Sequence, residues 1–303
     1  MTTATPRELV SLVVPAYNAG RFIRETIDSI LAQTYHPIEL IVIDDGSTDG
    51  TSDVLASYGG AFRCERQGNR GQSATLTRGW QMASGSLLGY LSADDRLRPD
   101  CVARLVAALA DRPDAVLAYP DFGLIDAQSG PIGEVRAPDY DVALLVGRCQ
   151  CLPGPGALFR RAAWQRVGSW DEGLRQVPDL DFFLRLCLAG PFLRVPEVLA
   201  DYRVHGGAIT YSPVPLGRAD EPTQMIERFF RRADLPPEFA RFRRQALANA
   251  LMLSGFMHGR ARRPAAAAMR FLSAFRHHPP ALASRKMASY LIDIAKACRG
   301  ARP

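Results

Sequence analysis

Hydrophobic and polar positions follow two rhythms along this chain. Through the first two hundred residues, short β-branched runs give way to turn formers and then to apolar residues at helical spacing. Leu9-Val10-Ser11-Leu12-Val13-Val14 predicts a buried strand ending at Pro15-Ala16-Tyr17-Asn18, since proline cannot donate to a sheet ladder. Asn18 stands where a helix N-cap is wanted, ahead of Phe22, Ile23, Ile27, Ile30 and Leu31. Ile41-Val42-Ile43 predicts a second buried strand, stopped by Asp44 and Asp45 and by the turn formers Gly46, Ser47 and Asp49. A helix over 52–58 and a strand over 61–65 follow. Next come a Gly-broken loop with Gln67, Asn69, Arg70, Gly71 and Gln72, a helix over 73–83 and a strand over 86–91. That strand runs into Ser92-Ala93-Asp94-Asp95, a second acidic pair roughly 50 residues after the first.

The same pattern predicts a helix over 102–109, a strand over 115–119, a hairpin and loop over 120–150, a strand over 154–159 and a helix over 161–167. Pro178 and Asp179 open a further helix with an apolar stripe of Phe182, Phe183, Leu186 and Cys187. Asp179 falls in its first turn, where the helix dipole favours the ionised carboxylate. An extended segment over 193–202 leads to Arg203 and His205. Alternating strands and helices imply an α/β domain, Rossmann-like, with a mostly parallel sheet flanked by helices and ligands met at the carboxyl ends of its strands. Two acidic pairs at one sheet edge repel unless a cation or hydrogen-bond donors lie between them. That favours a divalent metal carrying a phosphorylated ligand; capped turns and a capped helix near Pro99 are the plainer alternative.

Beyond Pro213 the character changes. Phe239, Phe242, Ala246, Ala250, Leu253 and Met257 form one helical stripe and Ala268, Leu272 and Phe275 another, with arginines on the polar sides. Charge divides at the same place. Residues 1–212 hold 20 Arg and no Lys against 25 acids, whereas residues 213–303 hold 17 bases against 6 acids. A basic helical region suits an anionic membrane surface, lipid phosphate or nucleic acid, or is simply a solvated surface. The 303 residues, 47% hydrophobic and 22% charged, suffice for one large domain or two modest ones. No apolar run approaches the roughly 20 residues of a membrane span, and the start lacks a signal-peptide pattern. The six scattered cysteines read as reduced cytosolic thiols, with no metal-site spacing.

Taken together, Val13-Val14-Pro15-Ala16-Tyr17-Asn18, Ile43-Asp44-Asp45-Gly46-Ser47-Thr48-Asp49-Gly50, Leu91-Ser92-Ala93-Asp94-Asp95 and Pro178-Asp179-Leu180-Asp181-Phe182-Phe183-Leu184-Arg185 resemble a bacterial family-2 glycosyltransferase over roughly residues 9–210. The resemblance implies a GT-A nucleotide-diphospho-sugar fold and inverting transfer of a sugar to a glycan, lipid-linked or protein acceptor, assisted by Mg²⁺ or Mn²⁺. It implies a catalytic domain over 1–212, its nucleotide-sugar half at 1–100 and its acceptor half at 101–212, with a basic helical region over 213–303. By the same resemblance Asp179 is the catalytic base. Pro15, Ala16, Tyr17, Asn18, Asp44, Asp45, Gly71, Gln72, Ser92, Asp94, Asp95, Arg203 and His205 line the nucleotide sugar, and Asp94, Asp95 and His205 are metal ligands. The chain departs from the family at Ser92, the first acid of the Asp-x-Asp motif. It departs also at Pro178, usually Glu, and at Thr77, usually Asn. The expected setting is cytoplasmic, in envelope polysaccharide synthesis, with an option of peripheral membrane contact through 213–303 and no nucleic-acid partner. A non-catalytic nucleotide-sugar binder or a sugar nucleotidyltransferase is the rival reading. A dinucleotide oxidoreductase is disfavoured, because no Gly-x-Gly-x-x-Gly follows the first strand.

Overall fold

The computed structural model describes residues 7–206, 214–281 and 283–298. The expected domain boundary at 212–213 lies outside them. Two compact units emerge: Met1–Tyr140 with Leu152–Glu172 and Ala189–Val204, and Asp141–Cys151 with Gly173–Leu188 and His205–Pro303.

The first unit is built on one sheet. Strands β1 (Val10–Ala16), β2 (Ile38–Asp44), β3 (Arg63–Arg66) and β4 (Leu87–Tyr90) are joined by parallel pairings in the order β3-β2-β1-β4. Their connections run through α1 (Ile23–Leu31), α2 (Thr51–Ala56) and α3 (Gln72–Met82), the crossovers that parallel strands require. Apart from Ser11, Glu39 and Asp44, β1 and β2 are apolar without alternation, as strands covered on both faces are. Beyond β4 the sheet is mixed. It continues through β8 (Leu158–Arg160), β6 (Leu117–Ile125), β9 (Phe192–Arg203) and β5 (Arg96–Leu97), and β7 (Pro131–Val135) forms a hairpin on β6. β8 runs antiparallel to both neighbours and β5 antiparallel to β9. The core lies where α1 and α4 (Cys101–Asp111) cover the sheet, with Ile23, Ile27, Ile30, Leu105 and Leu109 packed on Leu12, Val14 and Val42.

Several boundaries differ from the sequence pattern. β1 continues past Pro15, which stays in register with Ile43, yet its pairing with β4 ends near Val13, whose carbonyl accepts from Leu91 N. Proline therefore opens the β1–β4 side alone. Asn18 does not cap α1, which begins at Ile23. Instead Asn18 adopts a left-handed backbone (φ 48°) and bonds the loop after β2. The strand expected over 154–159 is reduced to Leu158–Arg160, because Gly156 takes φ 86° and breaks the extended run before it.

The second unit contains α6 (Pro178–Leu186), α7 (Glu221–Phe230), α8 (Arg243–Arg260), α9 (Pro264–His277) and α10 (Arg285–Cys298), together with a π-helical turn at Ala143–Gly147. In the first unit, α5 (Arg161–Val167) follows β8 directly. The central helix is α8, whose Ala248, Leu251 and Met252 pack with Phe271 and Ala274 of α9 and Met287 of α10. No helix among the described residues is long and apolar enough to cross a membrane.

Candidate functional site

The two acidic pairs leave the same edge of the first unit's sheet. β2 and β4 lie on either side of β1, all three parallel, so the loops that carry Asp45 and Asp94 both follow the carboxyl ends of strands at that edge. The carboxylates do different work from what their position alone suggests. Asp44 is buried and accepts from Ser47 N at 2.9 Å and Ser52 Oγ at 2.5 Å, with Arg66 Nε 3.6 Å away. Burial would raise its pKa, but these bonds and the Arg66 charge hold it below the ordinary carboxylate value. Asp45, 3% exposed, accepts from Gln67 Nε2 at 2.8 Å, Arg70 N at 2.8 Å and Gly71 N at 2.7 Å. The first pair thus builds its own turn and clamps the loop leading to α3. Gly46 is required beside it, since at φ 80° a Cβ would meet Asn69 N at 2.9 Å.

The segment after β1 is latched to the segment after β2. Asn18 N donates to Ser47 Oγ (3.0 Å), Asn18 Oδ1 accepts from Thr48 N (2.9 Å), Ala19 N donates to Thr51 Oγ1 (2.8 Å) and Gly20 N donates to Asp49 Oδ2 (3.0 Å). Tyr17, at the strand tip, is half exposed, whereas Ala16 is buried. Gly71 begins α3 with φ 85°, and Gln72 is the helix's first residue. A cavity of about 280 Å³ beside β2 is lined by Asp44, Ser52, Tyr58, Phe62, Cys64 and Arg66. A larger one, about 510 Å³, lies among Arg96, Arg98, Gly123, Glu134 and Asp201, and none of the residues expected at the site lines it.

The second acidic loop separates its residues by side. Ser92 and Asp94 are partly exposed; Ala93 and Asp95 are buried. Asp95 accepts from Arg203 N at 2.9 Å, and burial together with the nearby Asp94 charge pushes its pKa well up. Arg203, expected at the nucleotide sugar, is 1% exposed. Its guanidinium donates to Asp94 O (2.7 Å), Asp126 O (3.1 Å), Ser129 Oγ (2.8 Å) and Glu25 Oε2 (2.9 Å), and sits over the Phe22 ring. It fixes the backbone of the loop bearing Asp94. Glu25 and Ser129 went unrecognised in the sequence because nothing local to them announces a partner at position 203.

Among the described residues, no group of three or more His, Cys, Asp or Glu side chains is placed to hold a metal ion. The Ser92–Asp94 face still offers hard oxygen donors. That fits Mg²⁺ or Mn²⁺, which are bound through one or two carboxylates with substrate phosphates completing the shell.

In the second unit, Asp179 occupies the first turn of α6 behind Pro178. Its Oδ1 accepts from Leu180 N (2.8 Å), and Cys151 Sγ lies 3.7 Å from Oδ2 as a thiol donor. Burial raises the Asp179 pKa above the ordinary carboxylate value, against the pull of those bonds. It raises Cys151 well above the ordinary thiol value, Asp179's charge adding to the effect, so the thiol keeps its proton. The loop before α6 is held by Glu221, which accepts from Arg175 N (2.8 Å) and Gln176 N (2.7 Å). His205 follows β9 and belongs to this second unit.

Known proteins share this architecture. The first 349 residues of S. aureus TarS, in complex with UDP-GlcNAc, align with a TM-score of 0.65 at 15% identity, over 88% of this chain and 89% of theirs. The mannosyltransferase PcManGT from Pyrobaculum calidifontis, in complex with GDP-Man and Mn²⁺, aligns at 0.63 with 18% identity, over 97% and 88%. These likenesses show the GT-A fold. An uncharacterized glycosyltransferase of Rickettsia typhi is 32% identical over 67% of this chain and 64% of its own length, so this chain spans about two thirds of that relative. The Escherichia coli chondroitin synthase is 27% identical over 65% of this chain and 29% of its own. With the model for glycosyl transferase family 2 matching residues 11–167, more than half of its length, the chain belongs to glycosyltransferase family 2.

Proposed function

We propose that this protein is a metal-assisted, inverting glycosyltransferase, moving a sugar from a nucleotide-diphosphate donor to a hydroxyl of a glycan, lipid-linked or protein acceptor. The observation that carries the reading is the pair of acid-tipped strands flanking β1 in a family-2 chain. Relatives in complex with UDP-GlcNAc and with GDP-Man and Mn²⁺ support the donor class. In this reading Pro15, Ala16 and exposed Tyr17 receive the nucleobase. Asp44 and Asp45 act chiefly by shaping the loops that carry Ser47, Arg70, Gly71 and Gln72 to the nucleotide. Asp94, with Ser92, holds the cation, and His205 serves at the diphosphate. A divalent cation bound there would neutralise charge growing on the leaving diphosphate.

The chain's own chemistry is a single displacement. Asp179 accepts the proton of the acceptor hydroxyl as that oxygen bonds the anomeric carbon. The bond from that carbon to the diphosphate oxygen breaks on the opposite face, its electron pair leaving with the diphosphate. One base suffices, because no glycosyl-enzyme intermediate forms. The raised Asp179 pKa suits the role, since a higher pKa makes the carboxylate a stronger proton acceptor.

The test pairs binding with turnover. A melting-temperature panel of UDP-, GDP- and dTDP-sugars, with and without Mn²⁺, identifies the donor by stabilisation of the folded state. Asp179→Asn keeps that stabilisation and loses at least ~10²-fold in turnover, the lower range for removal of a general base. Near-normal transfer by this variant removes Asp179 from the role. Metal-dependent binding by the wild type with no transfer to any acceptor would instead support a non-catalytic binder.

A further inference from the structure

Helix α9 is apolar on both sides. Inward, Phe271 and Ala274 pack with Leu251 and Met252 of α8. Outward, Met269, Leu272 and Phe275 are 60%, 54% and 48% exposed, and Ala265 and Ala268 are exposed beside them. Positions 265, 268, 269, 272 and 275 fall along one face of a helix. The feature is local: of the nine large hydrophobics exposed among the described residues, five lie on α9 and α10.

Charge identifies the occupant. From Arg260 to Lys296 the chain carries eight Arg and Lys against one acid, Asp293. Of these, Arg270 is engaged by Asp220 and Lys286 donates to Arg148 O, whereas Arg262, Arg276, Arg285 and Lys296 are exposed. A second copy docking on this face would bring Arg262 and Arg276, which sit at the two ends of α9, against its own basic residues, a like-charge arrangement that costs affinity. An anionic bilayer satisfies both features at once, taking apolar side chains below the headgroups and cations among them. The 14 residues of α9 extend only ~21 Å, too short for the roughly 30 Å hydrocarbon core but suited to lying in the interface.

We propose that the outward face of α9 is a membrane-anchoring surface that inserts Met269, Leu272 and Phe275 at the headgroup boundary of an anionic bilayer. It stands independently of glycosyl transfer, and its test needs no nucleotide sugar. The full chain is co-sedimented with vesicles of phosphatidylcholine alone and of phosphatidylcholine with phosphatidylglycerol. The wild type binds the anionic vesicles, and raising salt weakens binding by screening. Leu272→Ser with Phe275→Ser loses about tenfold in partition, corresponding to two half-exposed side chains withdrawn from the interface. Arg262→Gln with Arg276→Gln loses ~5-fold per charge on anionic vesicles and little on neutral ones. An unchanged melting temperature certifies the apolar variant; should it melt lower, Met269→Gln reports on the same face. Equal partition of wild type and variants, or no binding by the wild type, overturns the proposal. A wild-type dimer that the same substitutions dissociate also overturns it, assigning the face to a second copy.

Discussion

If Asp45 is a loop clamp, its conversion to Asn must be felt before any ligand is added. The carboxylate receives three N–H donors, two of them backbone groups of Arg70 and Gly71. Asparagine keeps one acceptor oxygen, which can serve Gln67 and Arg70 as Oδ1 does now. Its amide nitrogen then faces Gly71 N–H, donor against donor. Leaving that buried N–H unpaired costs about 1–3 kcal/mol, and loss of charge assistance weakens the other two bonds by ~0.5–1 kcal/mol each. Relief from burying a charge offsets part of this, leaving a net loss of about 3 kcal/mol. In a domain of this size each kcal/mol moves Tm by about 2–4 °C, so Asp45→Asn should melt ~6–12 °C below wild type with no nucleotide present. Urea titration of the ligand-free protein should give the same loss as a lower midpoint at unchanged slope. A variant that melts with the wild type yet fails to bind any nucleotide sugar would refute the clamp and make Asp45 a direct ligand contact.

Other outcomes follow from the same geometry. Arg203→Met strands the Asp94 and Asp126 carbonyls, while half-exposed Glu25 regains water, so the loss should fall near the low end for a broken buried pair, about 3 kcal/mol by urea unfolding. Asp44 has a depressed folded pKa, so its contribution is present above the unfolded value of about 3.9 and is lost as pH falls through the folded one. Melting curves should therefore separate wild type from Asp44→Asn at neutral pH and converge in acid; a gap that persists there contradicts the charge-based account. Asp179 has the opposite shift, and a base works only when ionised. The acidic limb of kcat should accordingly lie above the ordinary carboxylate range, and a limb at or below about 3.9 would exclude it.

Much of this was legible in the chain because it is local. The strands β1 and β2, the placement of both acidic pairs at one sheet edge, and the start of α6 at Pro178 all follow from short-range pattern and turn chemistry. What stayed hidden depends on distant partners. Whether Asp45 faces a ligand or a loop is decided by Gly71, 26 positions on, and the use of Arg203 by Glu25, 178 positions back. Asn18 misled because asparagine suits both a cap and a left-handed turn, and only the loop after β2 selects between them. In α9 the pattern found Ala268, Leu272 and Phe275 as a stripe, but that stripe faces outward while Phe271 and Ala274 carry the packing. Periodicity identifies a face without saying which side holds the protein.

The Arg203 cluster also makes the turn between β6 and β7 a participant in events at the sheet's carboxyl edge. Asp126 and Ser129 of that turn grip the same guanidinium that holds the Asp94 carbonyl. Exchanging this turn among relatives would therefore retune the acidic loop remotely, leaving Ser92, Asp94 and Asp95 themselves chemically intact.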